Sequence, residues 1–294
     1  MVKFKGVYVA LVTPLTESYE VDYPRLHEIC DWLISEGVNG LIPCGSLGEY
    51  ATLSNSERAK VVETVIEASK GRVPVVVGTG APSTKSVTEW AEHAKNNGAN
   101  GLMALPPINY KPTENEIIAH YKTLSKVGLP IIVYNNPRDY GTDLTPDILA
   151  KIAKLDNVVG VKEFSGDIRR VHAILEKTDL EVLIGVDNLA LEGPVCGATG
   201  WISGVPNALP SEGIRLFNLA SEGLLHEAIP LYRKLLPLFH YDAEPQLVQA
   251  IKYMMALAGQ PVGPTRPPRL PLSEAEYGAI KESFFNAVQP IGKI

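Results

Sequence analysis

Little in this 294-residue sequence offers redox or metal chemistry. Its three cysteines, Cys30, Cys44 and Cys196, lie far apart and make no CxxC pair. Reduced thiols in a cytoplasmic protein are therefore expected, not a disulfide framework or a thiolate metal site. The six histidines, at positions 27, 93, 120, 172, 226 and 240, fall in no ligand spacing, so no metal is predicted. No apolar run approaches the roughly 18 residues of a membrane-spanning helix. The opening "MVKFKGVYVALVTPL" faintly imitates a signal peptide, but Thr13-Pro14 interrupts its short apolar part and no small-residue cleavage site follows. It reads as a first strand. Basic excess is also missing: 27 Lys and Arg face 33 Asp and Glu, a net charge of −6, which argues against a nucleic-acid partner. "GTGA" at Gly78 to Ala81 lacks the remaining glycine and the downstream acid of a dinucleotide fingerprint, and no cofactor is predicted from it.

What is present is a rhythm. Short apolar runs occur at "GVYVALVT", "VNGLIPCG", "VPVVVGTG", "ANGLMALP", "LPIIVYNN", "VVGVKEFS", "EVLIGVDN" and "ATGWISGV". Amphipathic stretches of helical period separate them, and several end in glycine, a common helix stop. Alternation of this kind gives a parallel sheet with right-handed crossovers. Eight units predict an α/β fold, a (β/α)8 TIM barrel, with a doubly wound open sheet as the rival. The seventh helical stretch, "NLALEGPVCG", is short and holds Gly193 and Pro194. Beyond about residue 222 the strand pattern stops and three more helical patterns follow. The expected division is a catalytic barrel over 1–222 and a C-terminal three-helix appendage over 223–294.

Function in such barrels gathers where strands end. The segment "VVGVKEFSGD" poses the sharpest question, because a doubly buried strand ends in Lys162. Burial disfavours the ammonium, and a neutral amine is a nucleophile able to form a Schiff base. The competing reading is an ion pair with Glu163 or Asp187, of which Glu163 is the poorer partner because adjacent strand residues face opposite sides. Tyr134, after "IIV", either passes protons at the barrel mouth or is a core tyrosine. In "GSLGE", Gly45, Ser46, Leu47 and Gly48 either turn backbone N–H groups towards an anion or form a tight turn. Gly204 follows the last strand.

The motifs "ALVTPL", "GSLGE", "YNNP", "GVKEFSGD" and the late "RPPRLPL", in this order, resemble the dihydrodipicolinate synthase/N-acetylneuraminate lyase superfamily. The resemblance covers essentially the whole chain. It implies a barrel with a C-terminal helical domain, a homo-oligomer (tetramer or dimer), and action on a 2-oxo acid without metal or organic cofactor. It assigns the Schiff-base lysine to Lys162, the proton-relaying tyrosine to Tyr134, and the carboxylate-binding loop to Ser46 and Leu47. Three positions depart from the biosynthetic synthases. Leu47 replaces a second hydroxyl residue. Asn109 stands where a neighbouring subunit's tyrosine is expected, with Tyr110 beside it. Asp139 stands where an arginine holds the aldehyde's carboxylate, with Arg138 beside it. Details such as "YNNPRDY" and "FHYDAEPQLVQAIKY" are similar to the catabolic branch that includes 1-pyrroline-4-hydroxy-2-carboxylate deaminase. The expectation is a Schiff-base lyase acting on a 2-oxo acid or its cyclic imine. A 4-hydroxy-tetrahydrodipicolinate synthase, a 2-oxo-3-deoxy sugar acid aldolase or dehydratase, and a non-catalytic oxo-acid binder remain as alternatives.

Overall fold

The strand-like runs become eight parallel strands in a computed structural model, which describes residues 4–289; the extreme ends of the two expected domains lie outside these. The strands are β1 (Gly6–Ala10), β2 (Gly40–Ile42), β3 (Val76–Gly78), β4 (Gly101–Ala104), β5 (Ile131–Asn135), β6 (Val158–Glu163), β7 (Glu181–Ile184) and β8 (Gly200–Ser203). Their order is β2-β1-β8-β7-β6-β5-β4-β3. A parallel bridge between Leu41 and Val75 joins the two ends of that series. The result is a (β/α)8 barrel, as the alternation predicts, and the open-sheet rival falls.

The strands read as unbroken apolar runs because both faces are covered. All six residues of β6, Lys162 and Glu163 included, are buried. Around the barrel run α1 (Tyr23–Ser35), α2 (Asn55–Ser69), α3 (Thr84–Asn96), α4 (Glu114–Ser125), α5 (Pro137–Tyr140), α6 (Pro146–Ile152), α7 (Arg169–Lys177), α8 (Glu192–Val195) and α9 (Pro210–Ser221). Ser54 with Glu57 and Thr113 with Glu116 form capping boxes that start α2 and α4. The seventh unit is short for a packing reason. A Cβ at Gly193 would lie 2.1 Å from Ile184 Cγ1, so the chain presses directly onto β7 there.

Helix α5 has no counterpart in the expected pattern, being a single turn. Pro137 occupies its first turn, the Asn136 side chain accepts from the Asp139 N–H, and Gly141 ends it at φ +69°. Three helices follow the barrel: α10 (Leu225–Phe239), α11 (Leu247–Leu257) and α12 (Glu274–Val288). Helix α12 packs on both α10 and α11, and α10 packs on α9. Between α10 and α11, a 3-10 turn over His240–Ala243 carries Asp242 back to the barrel mouth. Among the described residues, no helix is long and apolar enough to cross a membrane.

Candidate active site

Parallel pairing of β5 and β6 sets Tyr134 directly beside Lys162. One feature makes room for the lysine stem. A Cβ at Gly185 would lie 2.9 Å from Lys162 Cε, so the glycine after β7 clears the space the side chain occupies. The Tyr134 and Phe164 rings then flank the amine, whose Nζ lies 4.3 Å and 5.5 Å from their centroids. Glu163 points away, accepting from Asn135 Nδ2 at 2.9 Å and from the Ser165 N–H at 2.7 Å. Among the described residues, Lys162 makes no ion pair within 4.0 Å. Burial drives its amine below the ordinary lysine range, against the opposing pull of Asp242, Asp187 and Asp139.

Asp187 is held differently from the ion-pair reading. It is fully buried, and its carboxylate accepts from Trp201 Nε1 at 3.0 Å and from the Val205 N–H at 3.3 Å. Its own N–H donates to Asp242 Oδ2 at 3.0 Å. Burial pushes Asp187 up to about 6, and burial together with Asp187 pushes Asp242 well above the usual carboxylate range. Reading strand ends alone misses Asp242, because it comes from the helical appendage. The signal available was an acid set among the aromatic and apolar residues of "LFHYDA".

Gly45, Ser46, Leu47, Tyr134, Lys162 and Gly204 all line one cavity, together with Asp139, Asp242 and Leu247. The Ser46 and Leu47 N–H groups find no acceptor among the described residues, which leaves them available to an anion. Ser46 Oγ lies 2.6 Å from Tyr140 Oη. Gly48 permits a close approach to β1, since a Cβ there would lie 2.9 Å from Leu11 O. Gly204 passes under Leu47, with only 3.1 Å between a would-be Cβ and Leu47 Cδ2. The motif's Glu49 turns out of the cavity and ties the loop to the appendage. It is 3.0 Å from Lys252 Nζ and 3.7 Å from Arg269, and it accepts from the Arg266 N–H at 3.0 Å.

Asn109 and Arg138 are not brought to this cavity by their own chain; both are exposed. Tyr110 is 83% exposed and also lies off it. Asp139 lines the cavity instead, its carboxylate accepting from Asn136 Nδ2 at 2.7 Å. Roomier clefts exist, for example beside α11 and α12, but the buried amine there, Lys252, is ion-paired.

The Dihydrodipicolinate synthetase family model matches residues 3–286. The chain is 37% identical over 280 residues to the 4-hydroxy-tetrahydrodipicolinate synthase of Methanospirillum hungatei, covering 92% of this chain and 94% of the relative. It is 36% identical over 287 residues to the enzyme of that name from Syntrophobacter fumaroxidans, covering 96% and 98%. Among solved structures, the dihydrodipicolinate synthase of Acinetobacter baumannii complexed with pyruvate superposes with a TM-score of 0.92 at 30% identity, covering 97% of this chain and 99% of that one. The dihydrodipicolinate synthase of Aquifex aeolicus gives a TM-score of 0.92 at 30% identity, covering 99% and 100%. With its whole length matched, the chain belongs to the dihydrodipicolinate synthetase family of Schiff-base-forming lyases.

Proposed function

We propose that Lys162 attacks the keto carbon of a 2-oxo acid whose carboxylate rests on the Ser46 and Leu47 N–H groups. One observation carries this: an amine buried in an aromatic-walled cavity with, among the described residues, no ion pair within 4.0 Å. Structural lysines are paired when buried, as Lys252 is. Loss of water from the first adduct leaves an iminium, an electron sink for breaking or making a bond at the next carbon. Hydrolysis then releases the product. Pyruvate bound in the Acinetobacter relative supports a substrate of this class.

The charge of the mouth bears on the substrate's far end. The Asp139 carboxylate borders the cavity, while Arg138 lies off it. A neutral or cationic far end suits this surface better than a second carboxylate. A cyclic imine such as 1-pyrroline-4-hydroxy-2-carboxylate, opened with release of ammonia, fits that demand, as does a 2-oxo-3-deoxy sugar acid. The second reading is 4-hydroxy-tetrahydrodipicolinate synthase, favoured by the names of the relatives at 33–37% identity. It requires this chain to hold an aldehyde's carboxylate beside Asp139. A homo-oligomer belongs to the proposal too, since a solved relative is described as the first monomeric variant.

Incubation with pyruvate and borohydride tests the core of the reading. A reduced adduct on Lys162, mapped by mass spectrometry, is the expected result. An adduct on another lysine, or none with pyruvate or larger oxo acids, overturns it. Comparing turnover of the cyclic imine and of the deoxy sugar acids with condensation of the aldehyde then separates the two readings.

The same reaction has a defined pH dependence. Only the neutral amine adds to a carbonyl, and burial lowers the pKa of Lys162. At any given pH more of it is neutral than of an exposed lysine. The trapping rate should therefore rise with pH and reach its midpoint below 10.5, the ordinary lysine value. A midpoint at or above 10.5 in a borohydride time course contradicts the buried-nucleophile account.

A further inference from the structure

Proton transfer in this cavity has several candidate carriers, the carboxylates of Asp139 and Asp242 and the hydroxyls that line or border it. Among the described residues lining it there is no histidine. The Tyr134 hydroxyl accepts from Asn136 Nδ2 at 3.1 Å, an amide that also donates to Asp139, so the hydroxyl borders the cavity with its own proton still to give. Tyr110 does not reach the cavity of its own chain. Ser46 is different: it faces the cavity, and its hydroxyl is 2.6 Å from Tyr140 Oη.

The fold holds Tyr140 in that place. It ends the single-turn α5, which Asn136 caps at one end and Gly141 closes at the other. Its ring packs edge-on against Tyr134, with centroids 6.3 Å apart. Tyr50 and Ser46 line one small inner space, and the Tyr50 phenol is near enough to the Tyr140 hydroxyl to interact with it. Tyr50 itself is wedged against Gly80, where a Cβ would come within 3.0 Å of its hydroxyl. It borders both the inner space beside Ser46 and Met103 and an outer groove lined by Arg58, Trp90 and Ile108. Three hydroxyls of a single chain therefore lie between the cavity and the outer groove.

We propose that Tyr140 relays protons between Ser46 and Tyr50, so that one subunit by itself connects the chemistry at Lys162 with solvent. This rests on the oxo-acid reading above. When the Lys162 iminium becomes an enamine, the C–H bond beside the iminium carbon breaks. Its electron pair forms the new C=C bond, and the C=N π pair returns to nitrogen. The proton goes to Ser46 Oγ as Ser46 gives its own to Tyr140; Tyr140 gives its own to Tyr50, and Tyr50 passes one to water in the groove. Each hydroxyl gains one proton and loses one, nothing is oxidised or reduced, and the reverse sequence protonates the enamine. Asp139 and Asp242, which also border the cavity, are the rival carriers.

Exchange of the pyruvate methyl protons for deuterium, followed by proton NMR in D2O, reads this step alone. Borohydride trapping on the same samples reads adduct formation. Tyr140→Phe should keep the Lys162 adduct at near wild-type yield while exchange at saturating pyruvate falls about a hundredfold, the usual size of a lost proton-transfer group. Tyr50→Phe, which keeps the ring that fills the space beside Gly80, should lower exchange about tenfold, and Tyr110→Phe should not change it. Exchange within threefold of wild type in both Tyr140→Phe and Tyr50→Phe, with adduct intact, overturns the relay and points to the carboxylates. A wild-type protein that forms no adduct with any oxo acid overturns the oxo-acid reading and the relay with it. Should Tyr140→Phe fail to fold, Tyr50→Phe decides alone.

Discussion

Replacing Lys162 by alanine should leave a folded barrel that forms no adduct and turns over nothing. The expected loss is at least about a thousandfold, because removing a covalent nucleophile removes the pathway and leaves only substrate binding. The fold should survive for a physical reason. Among the described residues the lysine makes no ion pair within 4.0 Å, so no close partner is stranded when it goes, and burial already disfavours its charged form. Lys162→Met, which refills the space between Tyr134, Phe164 and Gly185, controls for the small void left by alanine. Circular dichroism and thermal melting should show both variants near wild type. Activity within tenfold of wild type in a folded Lys162→Ala sample contradicts the assignment. A folded protein that binds pyruvate in both forms without turning anything over would instead mark an oxo-acid binder.

The largest effect on stability is expected far from the chemistry, at Lys252. Its side chain and that of Glu49 are almost wholly buried, at 3% and 1% exposure, and their 3.0 Å contact joins α11 to the loop after β2. Lys252 Nζ also donates to Pro264 O at 2.7 Å. Removing one member of a buried pair strands the other charge, at a cost of about 3–5 kcal/mol. Lys252→Ala should fall near about 3 kcal/mol, since Arg269 remains 3.7 Å from Glu49. Glu49→Ala should cost as much or more, because Lys252 and the Arg266 N–H both lose their carboxylate. Urea unfolding measures this, and a change under about 1 kcal/mol for both variants contradicts it. The paired change Glu49→Gln with Lys252→Met should recover much of the loss, as apolar or neutral replacements of buried ion pairs commonly do. Glu49 also sits at φ +55°. Losing its anchor should loosen Ser46 and Leu47, so the surviving folded fraction should show weaker oxo-acid binding.

This anchoring also accounts for two motifs that stand more than 200 positions apart. The last residue of "GSLGE" and the arginines of "RPPRLPL" belong to one cluster. Arg266 grips Glu57 at 2.7 and 3.0 Å and the Thr52 carbonyl at 2.7 Å, while its N–H reaches Glu49. The Pro-rich connection thereby closes the appendage onto the β2 loop.

The periodic pattern alone was enough for the barrel, because strand and helix periods are local properties and their alternation admits few topologies. It was also enough to single out Lys162, since an amine in a doubly buried strand is costly wherever the strand lies. The neighbourhood of that amine was not legible in the same way. Asp242 reaches it from the appendage, 80 positions along the chain, and Asp187 is turned towards Trp201 and Val205 instead of pairing with the lysine. Tyr140 meets Ser46 because a single turn of helix aims it there, a feature too short for any period to register. Asn109 and Arg138, placed in the site by alignment of motifs, lie off the cavity of their own chain, and Asp139 lines it. Burial and spacing within a strand are written residue by residue. Which groups converge on a buried amine depends on how distant segments pack, and only the folded barrel with its appendage decided that.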